Sequence, residues 1–334
     1  MHRVATRCAS LFLALALLAY FALARQPASA QQHSADAHNE LVITDAYVMT
    51  VTHGNLKKGS VYIKDGKIAA VGESVNAPSS ATVVDAGGKF LTPGIIDSHS
   101  HIALDDDVNE ATSPVTPHMM MIDAFDYRDK ALYHALAGGV TSALLLHGSG
   151  DMIGGQAVVI KLKYGKSRDE MLFPNAPRSI KFASGENPKR VFGQRNQLPS
   201  TRMGNFEVLR QALQEGREYM RDWDDYNARV TAGDRSARPP KRDLRLEALA
   251  DILRGNLLVQ VHIYRSDEML TEMAIAKEYG FKIRAFHHAL EAYKSRRRSQ
   301  PMESVLQPLP TGGASRTKLK TRFRGTPSSP CATA

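Results

Sequence analysis

The stretch LTPGIIDSHSHI, residues 91–102, decides the fold class. Pro93-Gly94 closes the segment before it, and a strand-like run then ends on His99-Ser100-His101. Residues i and i+2 of a strand share one face, so both imidazoles can converge on a single ion. Before this stretch lie short β-rich runs at 41–51, 60–64, 67–71, 82–85 and 89–92. His53-Gly54-Asn55 marks one turn and Asp65-Gly66 another, the second being a strong hairpin signal. These runs predict a small N-terminal β-sandwich. After Gly94 the rhythm changes to strand, helix, strand. Buried runs fall at 140–146, 155–162, 178–184, 257–263 and 281–288, and helices are expected near 127–138, 206–229, 243–254 and 267–279. Apolar strands alternating with helices predict an α/β fold whose parallel sheet is buried on both faces.

Composition agrees with a globular body. The chain has 334 residues, 43% hydrophobic and 23% charged, which excludes wholesale disorder, collagen and coiled coil. The net charge of +9 is not spread evenly: residues 1–30 and 295–334 hold eleven of the 43 basic residues and one of the 34 acidic ones. The body between them is close to neutral, so the charge gives no reason to expect a nucleic-acid partner. Arg3 and Arg7, the apolar run Ala9–Ala24 and the small-x-small site Ala28-Ser29-Ala30 read as a secretory signal peptide. Sixteen apolar residues fall short of a bilayer span, so no stable membrane anchor is expected. The expected location is periplasmic or secreted. Cys8 would leave with the signal and Cys331 lies in the tail, so disulfides, a Cys nucleophile and thiolate metal ligands are excluded for the folded part. Residues 295–334 are rich in Pro, Ser, Thr and basic side chains without apolar periodicity, and read as disordered.

Histidine carries the chemistry. His262 ends LLVQVH and His287-His288 end FKIRAFHH, so together with His99-Ser100-His101 three strand ends present His. In barrels of alternating strands and helices, that is the face where active sites gather. Core packing alone rarely produces such a constellation. Arg190, Arg195 and Arg202 lie in a Gly- and Pro-rich loop that could seat a substrate carboxylate or could simply be solvated.

LTPGIIDSHSHI, preceded by KDGKIAAVG (64–72), resembles the amidohydrolase superfamily near its imidazolonepropionase-like members. The resemblance spans 41–294 and includes ALAGGVTSALLLHGS (135–149), GGQAVVIK (154–161), SGENPKRVFG (184–193), VHIYRSDEM (261–269) and FHHALEAYK (286–294). It implies an incomplete (β/α)8 TIM-like barrel with a small sandwich built from both chain ends. It further implies metal-dependent hydrolysis of C–N bonds in amides, cyclic amides or small peptides. The implied metal ligands are His99 and His101 on the first strand, His262 on the fifth and His288 on the sixth, with His287 facing the other way. For the fourth-strand bridging group, a carboxylate or a carboxylated lysine, Glu186 is the first candidate and Lys181 the runner-up. Zinc is the default among divalent ions, as one ion or two.

The family's eighth-strand aspartate has no counterpart here. The resemblance ends at Lys294 after six strands, and the residues beyond Lys294 look like out-of-frame translation. The expected division is a signal peptide at 1–30, the sandwich part of a composite domain at 31–93, a partial metal-dependent hydrolase barrel at 94–294 and a basic tail at 295–334. On this reading the chain is a hydrolase by family whose own catalysis is expected to be absent or nearly so, and a non-catalytic fragment is the alternative. A small-molecule amide or peptide is the expected partner; self-association is left open.

Overall fold

The computed structural model describes residues 39–104 and 108–295. The expectations for the signal segment at 1–30 and for the tail beyond Ser295 fall outside those residues. The chain divides into two compact units at Pro93/Gly94.

The first unit is one five-stranded sheet. Strands β1 (Glu40–Met49), β2 (Asn55–Lys64) and β3 (Lys67–Gly72) form an antiparallel meander, while β4 (Thr82–Asp85) and β5 (Phe90–Leu91) both pair in parallel with β1. Asp65 and Gly66 both have positive φ, 51° and 71°, which a two-residue type I′ hairpin turn demands. Because Val42 lies opposite Tyr62 and Ile43 opposite Val61, period-two alternation sends them to opposite faces. Each face has a small apolar cluster: Val42, Tyr62 and Ala81 on one, Ala46, Val48 and Val61 on the other. The sandwich predicted from sequence is therefore a single layer among the described residues. Both late strands add alongside β1 instead of founding a second sheet.

The second unit is mixed α/β around a curled six-stranded sheet in chain order: β6 (Ile95–Ser100), β7 (Val140–Leu145), β8 (Ile153–Lys161), β9 (Ser179–Ala183), β10 (Leu258–Ile263) and β11 (Ile283–His288). Helices α1 (Met121–Ala124) and α2 (Lys130–Ala137) join β6 to β7, and α3 (Arg168–Met171) precedes β9. Helices α4 (Glu186–Gly193), α5 (Arg202–Thr231) and α6 (Leu244–Leu253) lead to β10. Helix α7 (Ser266–Tyr279) leads to β11, and α8 (Ala292–Ser295) comes after it.

The sheet is not wholly parallel, contrary to the sequence reading. Strand β8 runs antiparallel to both β7 and β9, while β6–β7, β9–β10 and β10–β11 are parallel. The cause is the linker: only residues 146–152 separate β7 from β8, and a parallel crossover needs a dozen or more. The second difference is α4. SGENPKRVFG, expected as loop, makes two helical turns, with Pro188 in the first turn where its missing N–H costs nothing. The long helix runs four residues earlier and two later than the 206–229 expected, with the Thr201 side chain accepting from the Gly204 N–H as its N-cap.

Alternation fixes what each sheet face does. On β9, Ile180 and Phe182 turn toward the helices, with Val259, Val261 and Ile263 of β10 beside them. They pack against Leu209 and Leu213 of α5, Leu249 and Ile252 of α6, and Met269 and Ile275 of α7, all fully buried. Each such side chain contributes about 1.5–3 kcal/mol by leaving water. The same alternation leaves Lys181, Gln260 and His262 to the opposite face.

Close approach of α5 to α6 depends on Gly216. A Cβ there would meet Leu249 Cβ at 2.6 Å and the Leu249 carbonyl carbon at 3.2 Å, so backbone has to move. Gly216→Ala should therefore destabilise by about 1–3 kcal/mol from overpacking, more than the roughly 1 kcal/mol that Ala gains in helix propensity. Urea unfolding measures the sign; a more stable variant would show that the helices separate freely.

Candidate metal centre

Six side chains from four strands meet on the sheet face away from the helices. Lys181 and Gln260 are register partners on β9 and β10, and His262 and His287 are register partners on β10 and β11. Neighbouring parallel strands keep the same parity, so all four point the same way. Strand β6 and the residue after it bring His99 and His101. The family resemblance had implied His288, not His287, on this face. Both approach His99: its ring lies 4.6 Å from that of His287 and 4.9 Å from that of His288. His288 manages this because its φ is +62°, and Ala289 continues at +42°. Left-handed backbone at non-glycine residues is sparsely populated, and here it curls the strand end and tips the ring against His262 (4.6 Å) and Tyr264 (5.5 Å).

The hydrogen bonds fix where the protons sit. Gln260 Oε1 accepts from His287 Nε2 at 2.9 Å, leaving His287 Nδ1 as an acceptor. That atom lies 2.9 Å from His99 Nδ1, which must donate. His101 Nδ1 donates to the Leu146 carbonyl at 2.8 Å. His99 Nε2 and His101 Nε2 therefore both carry lone pairs, and they face each other at 3.3 Å. Two bare lone pairs at that distance repel. A tetrahedral ion about 2.0–2.1 Å from each would span about 3.3 Å and turn the repulsion into two bonds. A carbonyl behind a ligand's other ring nitrogen is the usual way a ligating imidazole is oriented. This donor pair fits a divalent ion of the zinc type. Among the described residues, no group of three or more His, Cys, Asp or Glu already converges as a finished cage.

The remaining residues surround that pair. His262 is buried; Asn187 Nδ2 donates to its Nε2 at 3.3 Å, and its Nδ1 has no hydrogen-bond partner. Lys181 is fully buried, with its Nζ 3.4 Å from the His147 carbonyl. Burial pulls its amine down to about 8. Burial, and then the Lys181 charge, lower His99 to about 3 and His287 to about 4. His262 falls to about 3, through burial and then His288. His101 and His288 shift downward too, burial again leading. All five imidazoles are thus neutral at neutral pH, the form that binds metal.

Glu186, first candidate for the bridging group, is not brought to the histidines. It sits at the start of α4, half exposed, paired with Lys189 at 3.0 Å and with Arg202. The Lys189 hydrogen bond, foremost, holds its carboxyl below the usual range. Lys181 is the fourth-strand group that faces the cluster. Arg202 is also taken, by Glu186 and by Glu268 at 2.7 Å. Sequence reading turned His287 the other way and missed Gln260 and Asn187. Parity across β10 and β11 could have found the first two; Asn187 had no signal, because its helix was read as loop.

No family model matches the chain. It is 36% identical over 258 residues to Amidohydrolase tasK of Hapsidospora irregularis, which covers 70% of this chain and 26% of that protein. A solved amidohydrolase from Thermotoga maritima MSB8 is 38% identical with a TM-score of 0.68, covering 76% of this chain and 66% of that one. Over a shorter 67 residues, 20% of this chain and 15% of the relative, it is 40% identical to the 5'-deoxyadenosine deaminase of Methanosarcina barkeri strain Fusaro. The chain therefore spans about a quarter of the first curated relative and 66% of the solved structure.

Proposed function

We propose that this chain, which belongs to the amidohydrolase superfamily, carries the metal-binding part of a hydrolase that cleaves C–N bonds of amides, cyclic amides or small peptides. The observation that carries the reading is the pair of opposed lone pairs on His99 and His101. His99, His101, His262 and His288 would hold one or two ions, zinc by default. When bound, such an ion supplies an activated water of pKa about 7 and polarises the scissile carbonyl. The chain's own part is to hold the imidazoles neutral and in one tautomer. Gln260 does so through His287, and the Leu146 carbonyl does so for His101. Lys181 takes the bridging role first given to Glu186. At about 8 its amine is neutral in a sizeable fraction at mildly alkaline pH, and the neutral amine is the form that adds carbon dioxide.

The curled sheet supports reading residues 94–294 as the first six strands of a (β/α)8 barrel, with residues 31–93 as one half of a composite sandwich. Residues 1–30 would act as a signal peptide for export, with the mature chain beginning at Gln31. N-terminal sequencing of secreted protein that starts at Met1 would exclude that cleavage. Among the described residues no helix is long and apolar enough to cross a membrane. Nothing in the geometry favours a non-catalytic fragment over a hydrolase. The test is to load the full chain with zinc and assay amine or ammonia release from N-acyl amino acids, dipeptides and cyclic amides. Metal-dependent release supports the reading, and zinc-replete protein inert toward the whole panel counts against it.

A further inference from the structure

A cavity of about 510 Å³ is walled by the 109–112 segment, by Ser149 and Gly150, and by α4 and the turn after it. Its volume suits a small substrate. Asn187 joins it to the histidines: it lines the cavity and its amide nitrogen touches His262. Arg190 and Val191 stand at the i+3 and i+4 positions from Asn187 on α4, on one helix face, and both line the cavity. One helical turn rises about 5 Å, so Arg190 is carried on α4 about one turn beyond the Asn187 that touches His262.

Charge in this cavity is unbalanced. Arg195 also lines it and donates to the Ala111 carbonyl, a neutral partner. The Arg190 side chain makes no ion pair or hydrogen bond among the described residues, whereas Arg202 on the next helix is tied to two glutamates. Glu110 is the one carboxylate in the lining, and it is engaged by the Thr112 hydroxyl at 2.6 Å. Among the lining residues two guanidinium groups stand against one carboxylate, with the buried Asp151 carboxyl within electrostatic reach of Arg195. The opposite wall is fixed: the Gly150 N–H donates to Asn109 Oδ1 at 2.7 Å, and a Cβ on Gly148 would collide with the same Asn109 side chain. A rigid floor and a free planar fork are what carboxylate recognition needs.

We propose that this cavity is the substrate site and that Arg190, backed by Arg195, seats a substrate carboxylate. The preferred substrates are then amides with a free carboxylate within one residue of the scissile bond, such as N-acyl amino acids or short peptides. This rests on the proposed hydrolase function and names its substrate class. The test uses binding, so that it does not depend on turnover. N-acetyl-L-alanine and N-acetyl-L-alaninamide are titrated by ligand-observed NMR into the full chain, into Arg190→Gln and into the His99→Ala/His101→Ala double variant, with folding checked by circular dichroism.

The wild type should bind the carboxylate at least tenfold more tightly than the carboxamide. Arg190→Gln should remove that preference while the double histidine variant keeps it. Equal binding of the two probes by wild type, or an unchanged preference in Arg190→Gln, overturns the proposal. So does a preference lost in the histidine variant and retained in Arg190→Gln, which would place the anion on the imidazoles. Each outcome stands whether or not the protein proves to be a hydrolase.

Discussion

Changing His99 and His101 together to Ala is expected to abolish stoichiometric metal in a preparation that remains folded. The two Nε2 atoms are the only ring nitrogens among the described residues whose lone pairs are fixed toward each other by hydrogen bonds on the far side of each ring. Removing a single outer partner of a metal ligand costs about 10–100-fold in affinity. Removing two ligands should cost at least about 100-fold, enough to strip the ion during purification. Hydrolysis, where present, should fall with it. The fold should survive, because neither ring belongs to the buried apolar clusters. Elemental analysis of the purified double variant beside wild type gives the answer. Metal content unchanged from wild type would mean that the ion sits elsewhere.

The second large effect concerns Glu272, on α7 and fully buried. The Ser184 hydroxyl donates to its Oε2 at 2.9 Å, while Oε1 has no partner. Burial raises this carboxyl to about 7, against an ordinary value of 4.5. A raised acid means that the folded state holds a proton the unfolded state has lost. Between about pH 4.5 and 7 the folded chain binds more protons, so this group's contribution becomes less favourable as pH rises through that window. The full loss is about 3 kcal/mol above pH 7. The histidines act in the opposite sense, since their lowered values favour folding as pH rises toward 6.5. The informative quantity is therefore the difference between Glu272→Gln and wild type. Measured by urea unfolding, it should move in favour of the variant by about 3 kcal/mol from pH 5 to pH 8. A pH-independent difference would mean that Glu272 is ionised when folded or reaches water.

Much of this was legible in the sequence, for identifiable reasons. His99, His101 and His262 could be placed because strand ends were readable and side chains alternate with period two. Existence of β6 through β11 could be read from apolar runs bounded by Gly and Pro. The direction of β8 could not, because apolar runs carry no polarity; the seven-residue linker 146–152 was the available signal. Between Glu186 and Lys181, parity on β9 favours the second, because Lys181 alternates with the buried Ile180 and Phe182 while Glu186 falls past the strand end. The left-handed turn at His288 admits a second sixth-strand histidine to the cluster, and backbone of that kind leaves no trace in composition. Of the three arginines read as carboxylate candidates, Arg190 and Arg195 remained and Arg202 dropped out once ion pairs and the cavity wall were visible.

The central claim is that the His99 and His101 imidazoles are set apart to hold a divalent ion. Zinc-edge anomalous diffraction from crystals of the full chain grown with zinc tests it most directly. The predicted result is a single strong peak, or one of two, lying between His99 Nε2 and His101 Nε2 at about 2.0–2.1 Å from each. Zinc found only at other residues, with the two nitrogens still facing each other across an empty gap, would contradict it.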